Sequence, residues 1–116
     1  MLFIEYPKCT TCKKALKFLK NNNFDFEDRD IVISIPTKSE LLTWMDKSNL
    51  EPKKFFNTSG KVYKELGLKD KINDMSKEEM AELLSTNGML IKRPILVTKD
   101  KVLLGFKEAE YNNLLK

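Results

Sequence analysis

The sequence predicts an α/β fold, a four-stranded mixed sheet with a helical segment inserted between its second and third strands. Three observations lead there. Short apolar runs of strand length stand near both ends of the chain, at Leu2–Tyr6 and at Ile95–Gly105. Helical periodicity begins directly after the first run. Between the runs lie two capping boxes, each a hydroxyl residue followed three positions later by a glutamate.

The first run, Leu2-Phe3-Ile4-Glu5-Tyr6, is apolar and aromatic and stops at Pro7, as a short strand does. Cys12, Ala15, Leu16 and Leu19 then recur at i, i+3, i+4 and i+7, with Lys13, Lys14, Lys17 and Lys20 filling most of the other face. This is an amphipathic helix of about three turns, stopped by Asn21-Asn22-Asn23. A second strand is expected around 25–30. Thr37-Lys38-Ser39-Glu40 opens a helix that carries Leu41, Trp44 and Met45 on one face, with a break at Asn49 to Pro52. Thr58 or Ser59 is expected to cap a short helix running to Leu66, which Gly67 ends. Ser76-Lys77-Glu78-Glu79 opens another, sending Met80, Leu83 and Leu84 into the core until Asn87-Gly88. Ile95–Thr98 and Lys101–Gly105 form a hairpin across Lys99-Asp100, although this is not a favoured turn pair. A final amphipathic helix is expected to face Ala109, Leu114 and Leu115 inward.

A chain of 116 residues fits one domain, residues 1–116, with the helical insertion at about 38–91. The insertion is long for a single crossover and is expected to pack as a small lobe against the sheet. Hydrophobic residues make up 41% of the chain, enough for a core. No apolar stretch is long enough to span a bilayer. The start lacks a basic region followed by a long apolar one, so a cytoplasmic location is expected. The net charge is +4, carried by lysines set singly among acids with only Arg29 and Arg93 as arginines, which reads as a solvated surface and not a nucleic-acid face. A monomer is expected.

The chain contains no histidine, which removes Ser-His and Cys-His catalytic pairs and imidazole metal ligands. Its two cysteines cannot by themselves complete a four-ligand zinc site, and no metal is expected. The chemistry is left to thiols, carboxylates, Lys and Arg.

Those two cysteines form Cys9-Thr10-Thr11-Cys12, a Cys-x-x-Cys placed after a strand and at the start of a helix, as in a thioredoxin-like fold. Residues three apart on a helix share a side, so the sulfurs can approach bonding distance. Unpaired N–H groups and the positive end of the helix dipole stabilise a thiolate at Cys9, and the thiolate is the nucleophile. Lys8 beside it adds modest attraction. Cys9 is expected to be the exposed attacking sulfur. Cys12 lies on the apolar stripe and is expected to be the partly buried resolving sulfur. Two reduced core thiols, or a zinc shared between two subunits, are the competing readings of the pair.

Arg93-Pro94, just before the third strand, is the second site. A proline at this place in a thioredoxin-like fold is expected to be cis and to lie beside the cysteine loop. Arg93 would then present its guanidinium to an anion near Cys9, unless it is spent on a surface ion pair. Lys8, Thr10, Thr11 and Arg93 are the residues expected to meet an anion or substrate. Trp44, Phe55 and Phe56 read as core of the helical lobe. Asn57-Thr58-Ser59-Gly60 reads first as a helix cap and second as a polar loop lining a pocket.

Taken together, Tyr6-Pro7-Lys8-Cys9-Thr10-Thr11-Cys12-Lys13, Tyr63-Lys64-Glu65-Leu66-Gly67-Leu68, Ile91-Lys92-Arg93-Pro94-Ile95 and Gly105-Phe106 make the chain resemble the glutaredoxin-linked arsenate reductase family and its relatives, the Spx regulators. The resemblance runs over nearly the whole chain and is nearest to the branch that keeps both cysteines. It implies a thioredoxin-like, glutaredoxin-like core with a helical insertion and a catalytic role for Cys9. In the arsenate reductases that cysteine attacks arsenate, glutathione resolves the adduct and three arginines hold the oxyanion. Arg93 matches one of them, while Asn57 and Phe106 stand at the other two positions. Cys12 is a resolving cysteine that the glutathione-dependent enzymes typically lack. Spx regulators carry the Cys-x-x-Cys as a redox switch and bind RNA polymerase, but their Thr-Arg-Ser segment reads Thr58-Ser59-Gly60 here.

The expected function is a thiol-disulfide oxidoreductase acting on a small thiol or a protein disulfide. No bound cofactor is expected; glutathione, glutaredoxin or thioredoxin would supply electrons. A glutathione-dependent arsenate reductase and a redox-switched regulator binding RNA polymerase are the alternatives.

Overall fold

The computed structural model describes residues 1–116. Its sheet has four strands, β1 (Leu2–Glu5), β2 (Glu27–Asp30), β3 (Ile95–Val97) and β4 (Val102–Leu104), in the order β2-β1-β3-β4. β1 and β2 run parallel; β3 is antiparallel to β1 and to β4, so the sheet is mixed. The register places Ile4 between Arg29 and Ile95.

Strand alternation divides the apolar residues between two cores. Phe3, Leu96 and Leu103 face one side, where Ala15 and Leu19 of α1 (Thr10–Asn21) and Tyr111 of α5 (Glu108–Asn112) cover them. Ile4, Ile95 and Val102 face the other side and meet the helical lobe. That lobe contains α2 (Lys38–Ser48), α3 (Lys61–Glu65), α4 (Lys77–Leu84) and several single 3₁₀ turns. Trp44, Phe55 and Phe56 are buried in it, as the sequence leads one to expect. No helix is long and apolar enough to cross a membrane.

Both capping boxes form. Thr37 accepts from the Glu40 N–H at 3.1 Å while Glu40 accepts from the Thr37 N–H at 3.0 Å, and Ser76 and Glu79 do the same for α4. These local signals hold α2 and α4 in place for packing against each other. Gly88 ties the end of the lobe to the sheet: a Cβ there would sit 2.2 Å from the Ile31 carbonyl oxygen, a separation only glycine permits.

Two expectations are corrected. The cap of α3 is Gly60, not Thr58 or Ser59, and it makes no side-chain capping bond. The Ser59 hydroxyl turns to the Asn57 side chain instead, at 3.3 Å. At the C-terminus, Ala109 and Leu115 are exposed and Leu114 is half-buried. Tyr111 is the residue that goes in, edge-on to Phe106 and Phe18, and a change from α-helix to a 3₁₀ turn at Asn113 rotates Leu115 outward. The Lys99-Asp100 turn does close the hairpin. Thr98 makes it workable, donating its N–H to the Lys101 carbonyl at 2.8 Å and accepting the Asp100 and Lys101 N–H groups on Oγ1.

Candidate functional site around Cys9

β1 ends against α1 in a tight connection, in which the Cys9 N–H donates to the Tyr6 carbonyl at 2.9 Å. Cys9 is the N-cap of α1. Its Sγ accepts the Cys12 N–H at 3.3 Å, the position a serine or aspartate oxygen would take, and its carbonyl receives the Lys13 N–H at 3.0 Å. The sulfur therefore sits at the positive end of a twelve-residue helix with no acidic side chain in its first turn. Cys12 lies one turn further in, 1% exposed, while Cys9 is half-buried; both are free thiols.

β3 enters the sheet beside β1, and the Arg93–Pro94 peptide bond preceding it is cis. The Arg93 guanidinium lies over the Tyr6 ring, 5.2 Å from its centroid. Arg93 Nε and one terminal nitrogen, Nη1, are buried with no hydrogen-bond partner. Buried donors are rarely left unpaired, and a cation's donors least of all.

The two thiols are pushed in opposite directions. Burial alone would raise the Cys9 thiol, but hydrogen bonds from the Cys12 thiol, the Cys12 N–H and Arg93, with the Arg93 charge, bring it below the ordinary range. Cys12 is pushed up to about 12, chiefly by burial and further by the Cys9 sulfur that takes its proton as a hydrogen bond, against the opposing backbone hydrogen bond from Tyr6 and the Arg93 charge. Cys9 is thus the thiol that ionises first.

A cavity of about 270 Å³ opens onto Cys9, walled by Thr11, Arg93, Lys92 and the segment Asn57, Ser59 and Gly60. The segment arrives there through pairing with the chain before Pro94: Phe56 bridges Ile91, the Asn57 N–H donates to Leu90 and the Lys92 N–H to Phe55, both at 2.7 Å. Gly60 lets Asn57 fold back, since a Cβ would lie 2.7 Å from the Asn57 amide nitrogen. The polar loop therefore lines a pocket and does not cap a helix with its hydroxyls.

Of the residues singled out in the sequence, Cys9, Cys12, Thr11 and Arg93 come together. Lys8 and Thr10 are exposed and outside the cavity wall. Sequence reasoning missed Lys92 and Tyr6 as parts of the site. Lys92 carries no signal beyond being next to Arg93, and Tyr6 reads as the last residue of a strand.

The remaining arginine is unavailable. Arg29 makes a two-pronged ion pair with Glu40 at 2.7 and 2.9 Å and donates to the Ser34 and Ile35 carbonyls. Phe106, which the resemblance aligns with an arginine position, packs on Phe18 and Tyr111.

Comparison with known proteins places the fold in a family. The crystal structure of an ArsC-family related protein from Bacteroides fragilis superposes with a TM-score of 0.94 at 52% identity, covering 97% of this chain and 95% of that one. YusI of Bacillus subtilis (strain 168) is 47% identical over 111 residues, 96% of this chain and 94% of YusI. The global transcriptional regulator Spx of Streptococcus agalactiae is 31% identical over 109 residues, 94% of this chain and 78% of Spx. The ArsC family model matches residues 4–114, nearly the full length, and the chain belongs to the ArsC family.

Proposed function

We propose that the chain is a thiol-disulfide oxidoreductase in which Cys9 is the nucleophile and Cys12 the resolving thiol. The observation that carries this reading is the placement of Cys9 Sγ as the N-cap of α1, accepting the Cys12 N–H at 3.3 Å beside a buried guanidinium with unpaired donors.

The Cys9 thiolate attacks one sulfur of a substrate disulfide, a Cys9–substrate disulfide forms, and the other substrate sulfur leaves as a thiolate that takes up a proton. Loss of the Cys9 negative charge removes both the acceptor and the repulsion that hold the proton on Cys12. Cys12 then gives that proton to water or to the departing thiolate and attacks Cys9 Sγ. The Cys9–Cys12 disulfide forms and the substrate leaves as two thiols, reduced by two electrons. An external thiol of the glutathione, glutaredoxin or thioredoxin class returns the protein to its dithiol state. The substrate is a small or protein disulfide.

Arsenate reduction is less well supported, because Arg93 is the only arginine at the cavity and one guanidinium is a poor match for a multiply charged oxyanion. The similarity to Spx favours a second reading, in which the same disulfide switches contact with RNA polymerase.

Cys12→Ser should accumulate a mixed disulfide between Cys9 and its substrate, visible by mass spectrometry, whereas Cys9→Ser should trap none. Trapping at Cys12 in the Cys9→Ser protein and none at Cys9 would overturn the assignment. Arsenate turnover with glutathione and glutaredoxin, and co-purification with RNA polymerase only in the oxidised state, distinguish the other two readings.

A further inference from the structure

A second cavity, about 590 Å³, lies on the lobe side of the sheet, away from the cysteines. It exists because the lobe does not close over the edge strand β4. α3 has only five residues, and the chain continues from it in 3₁₀ turns at Leu68–Asp70 and Ile72–Asp74. The floor is apolar, made by Phe56, Tyr63 and Ile72 of the lobe with Val102 and Leu104 of β4. Its volume falls in the range of small-molecule sites, which pair an apolar lining with a few polar groups.

The charged groups here are mostly of one sign. Lys53, Lys54, Lys92 and Lys107 line the cavity, and Glu110 is the one acid among its walls. Lys53 is paired with Glu51 at 3.4 Å, while Lys54, Lys92 and Lys107 have no acidic partner within ion-pair distance. Three unpaired ammonium groups against the single Glu110 carboxylate leave the cavity wall with an excess of positive charge, which an anion would balance. An anion without an apolar body leaves the apolar wall at exposed Leu50 and half-buried Leu104 uncovered, and a neutral apolar molecule leaves the lysines unpaired.

We propose that this cavity binds an amphipathic anion: a carboxylate, sulfonate or phosphate held by Lys54, Lys92 and Lys107, carried on an aromatic or short acyl body that covers Leu50 and Leu104. The site is separate from the thiol chemistry, although Lys92 stands in the wall of both cavities.

Fluorescence titration of the full chain with 1-anilinonaphthalene-8-sulfonate, an aryl sulfonate, tests the proposal, with neutral N-phenyl-1-naphthylamine and decanoate as companions. The expected result is saturable one-to-one binding of the sulfonate with a Kd of about 10–100 µM, displaced by decanoate. The Lys54→Gln/Lys107→Gln double variant should weaken the anions at least tenfold and leave the neutral probe within twofold. Methyl resonances of Ile72, Val102 and Leu104 should shift while that of Leu19, under α1, does not. Binding should persist in Cys9→Ser, so the outcome does not depend on the redox assignment. The proposal is overturned by unsaturable binding, by equal affinity for the sulfonate and the neutral probe, by indifference to the lysine substitutions, or by methyl shifts under α1 instead of over β4.

Discussion

The two arginines of this chain occupy opposite situations. Arg29 leaves β2 and is saturated: two bonds to Glu40 and two to backbone carbonyls hold the turn after β2 against the start of α2. Arg93 stands before β3 with two buried nitrogens unpaired, its plane against Tyr6 and its charge felt by Cys9. A satisfied guanidinium stabilises the fold and has nothing left to offer a ligand. An unsatisfied one costs stability in the resting protein and keeps its donors for negative charge that arrives, or develops, during a reaction. Polar satisfaction, more than burial or charge, separates a structural arginine from a functional one here.

The same substitution at both positions breaks the comparison if it is wrong. Methionine keeps most of the length and apolar contact of arginine while removing its charge and donors. Arg29→Met should cost the most, about 2 kcal/mol, because it leaves Glu40 and two carbonyls without partners in a half-buried place. Urea unfolding should show a lower midpoint with an unchanged slope, and the alkylation rate of Cys9 should stay within twofold of the parent. A large change in that rate would mean that the two regions are not independent.

Arg93→Met should reverse the pattern. Cys9 loses a hydrogen bond and a positive charge that lower its pKa, so its thiol moves up and alkylation at pH 7 slows several-fold. Stability should be unchanged or higher by up to about 1 kcal/mol, since unpaired buried donors are exchanged for an apolar side chain. The pH profile of iodoacetamide reactivity separates an effect on ionisation from a loss of folding. A destabilisation as large as that of Arg29→Met would show that Arg93 is structural after all.

How much of this could be read from the sequence follows the range of the interactions. The capping boxes at Thr37 and Ser76, the stripe of α1 and the apolar run of β1 are written within a few residues of one another, and they appear as expected. The fold class follows from their order. The cavity at Cys9 does not, because it needs Asn57 and Lys92 to meet across a bridge between Phe56 and Ile91 that no local pattern announces. The misread C-terminus has the same origin: Tyr111 is drawn in by Phe18 and Phe106, and helical periodicity alone cannot weigh an aromatic cluster against Leu115. Glu5 is a further case. It ends an apolar strand and looks like a surface residue, yet it is buried, and burial together with Asp28 pushes its carboxyl up to about 7.

The smallest expected effect sharpens the comparison most, because it titrates only one of the two arginine sites. The hydrogen bonds from Arg29, opposed by partial burial and helped by the Thr37 N–H and the Arg29 charge, hold the Glu40 carboxyl down at about 2. An unfolded glutamate titrates near 4.3. The folded value is the lower one, so the pair's contribution is fully present above pH ~4.3 and is lost as pH falls from there toward 2. A shift of this size at a fully buried site is worth about 3 kcal/mol; with the Glu40 side chain 35% exposed, solvent screening brings it to about 1 kcal/mol. The stability gap between the parent and Arg29→Met should therefore narrow by about 1 kcal/mol between pH 6 and pH 2.5 in urea unfolding. The gap between the parent and Arg93→Met should hold constant over the same interval, since no carboxylate lies within ion-pair distance of Arg93. Parallel lines at both sites would remove Glu40 as the reason Arg29 is structural, whereas convergence at Arg93 would reveal an acidic partner that fills its unpaired donors and would undo the case for a reserved guanidinium.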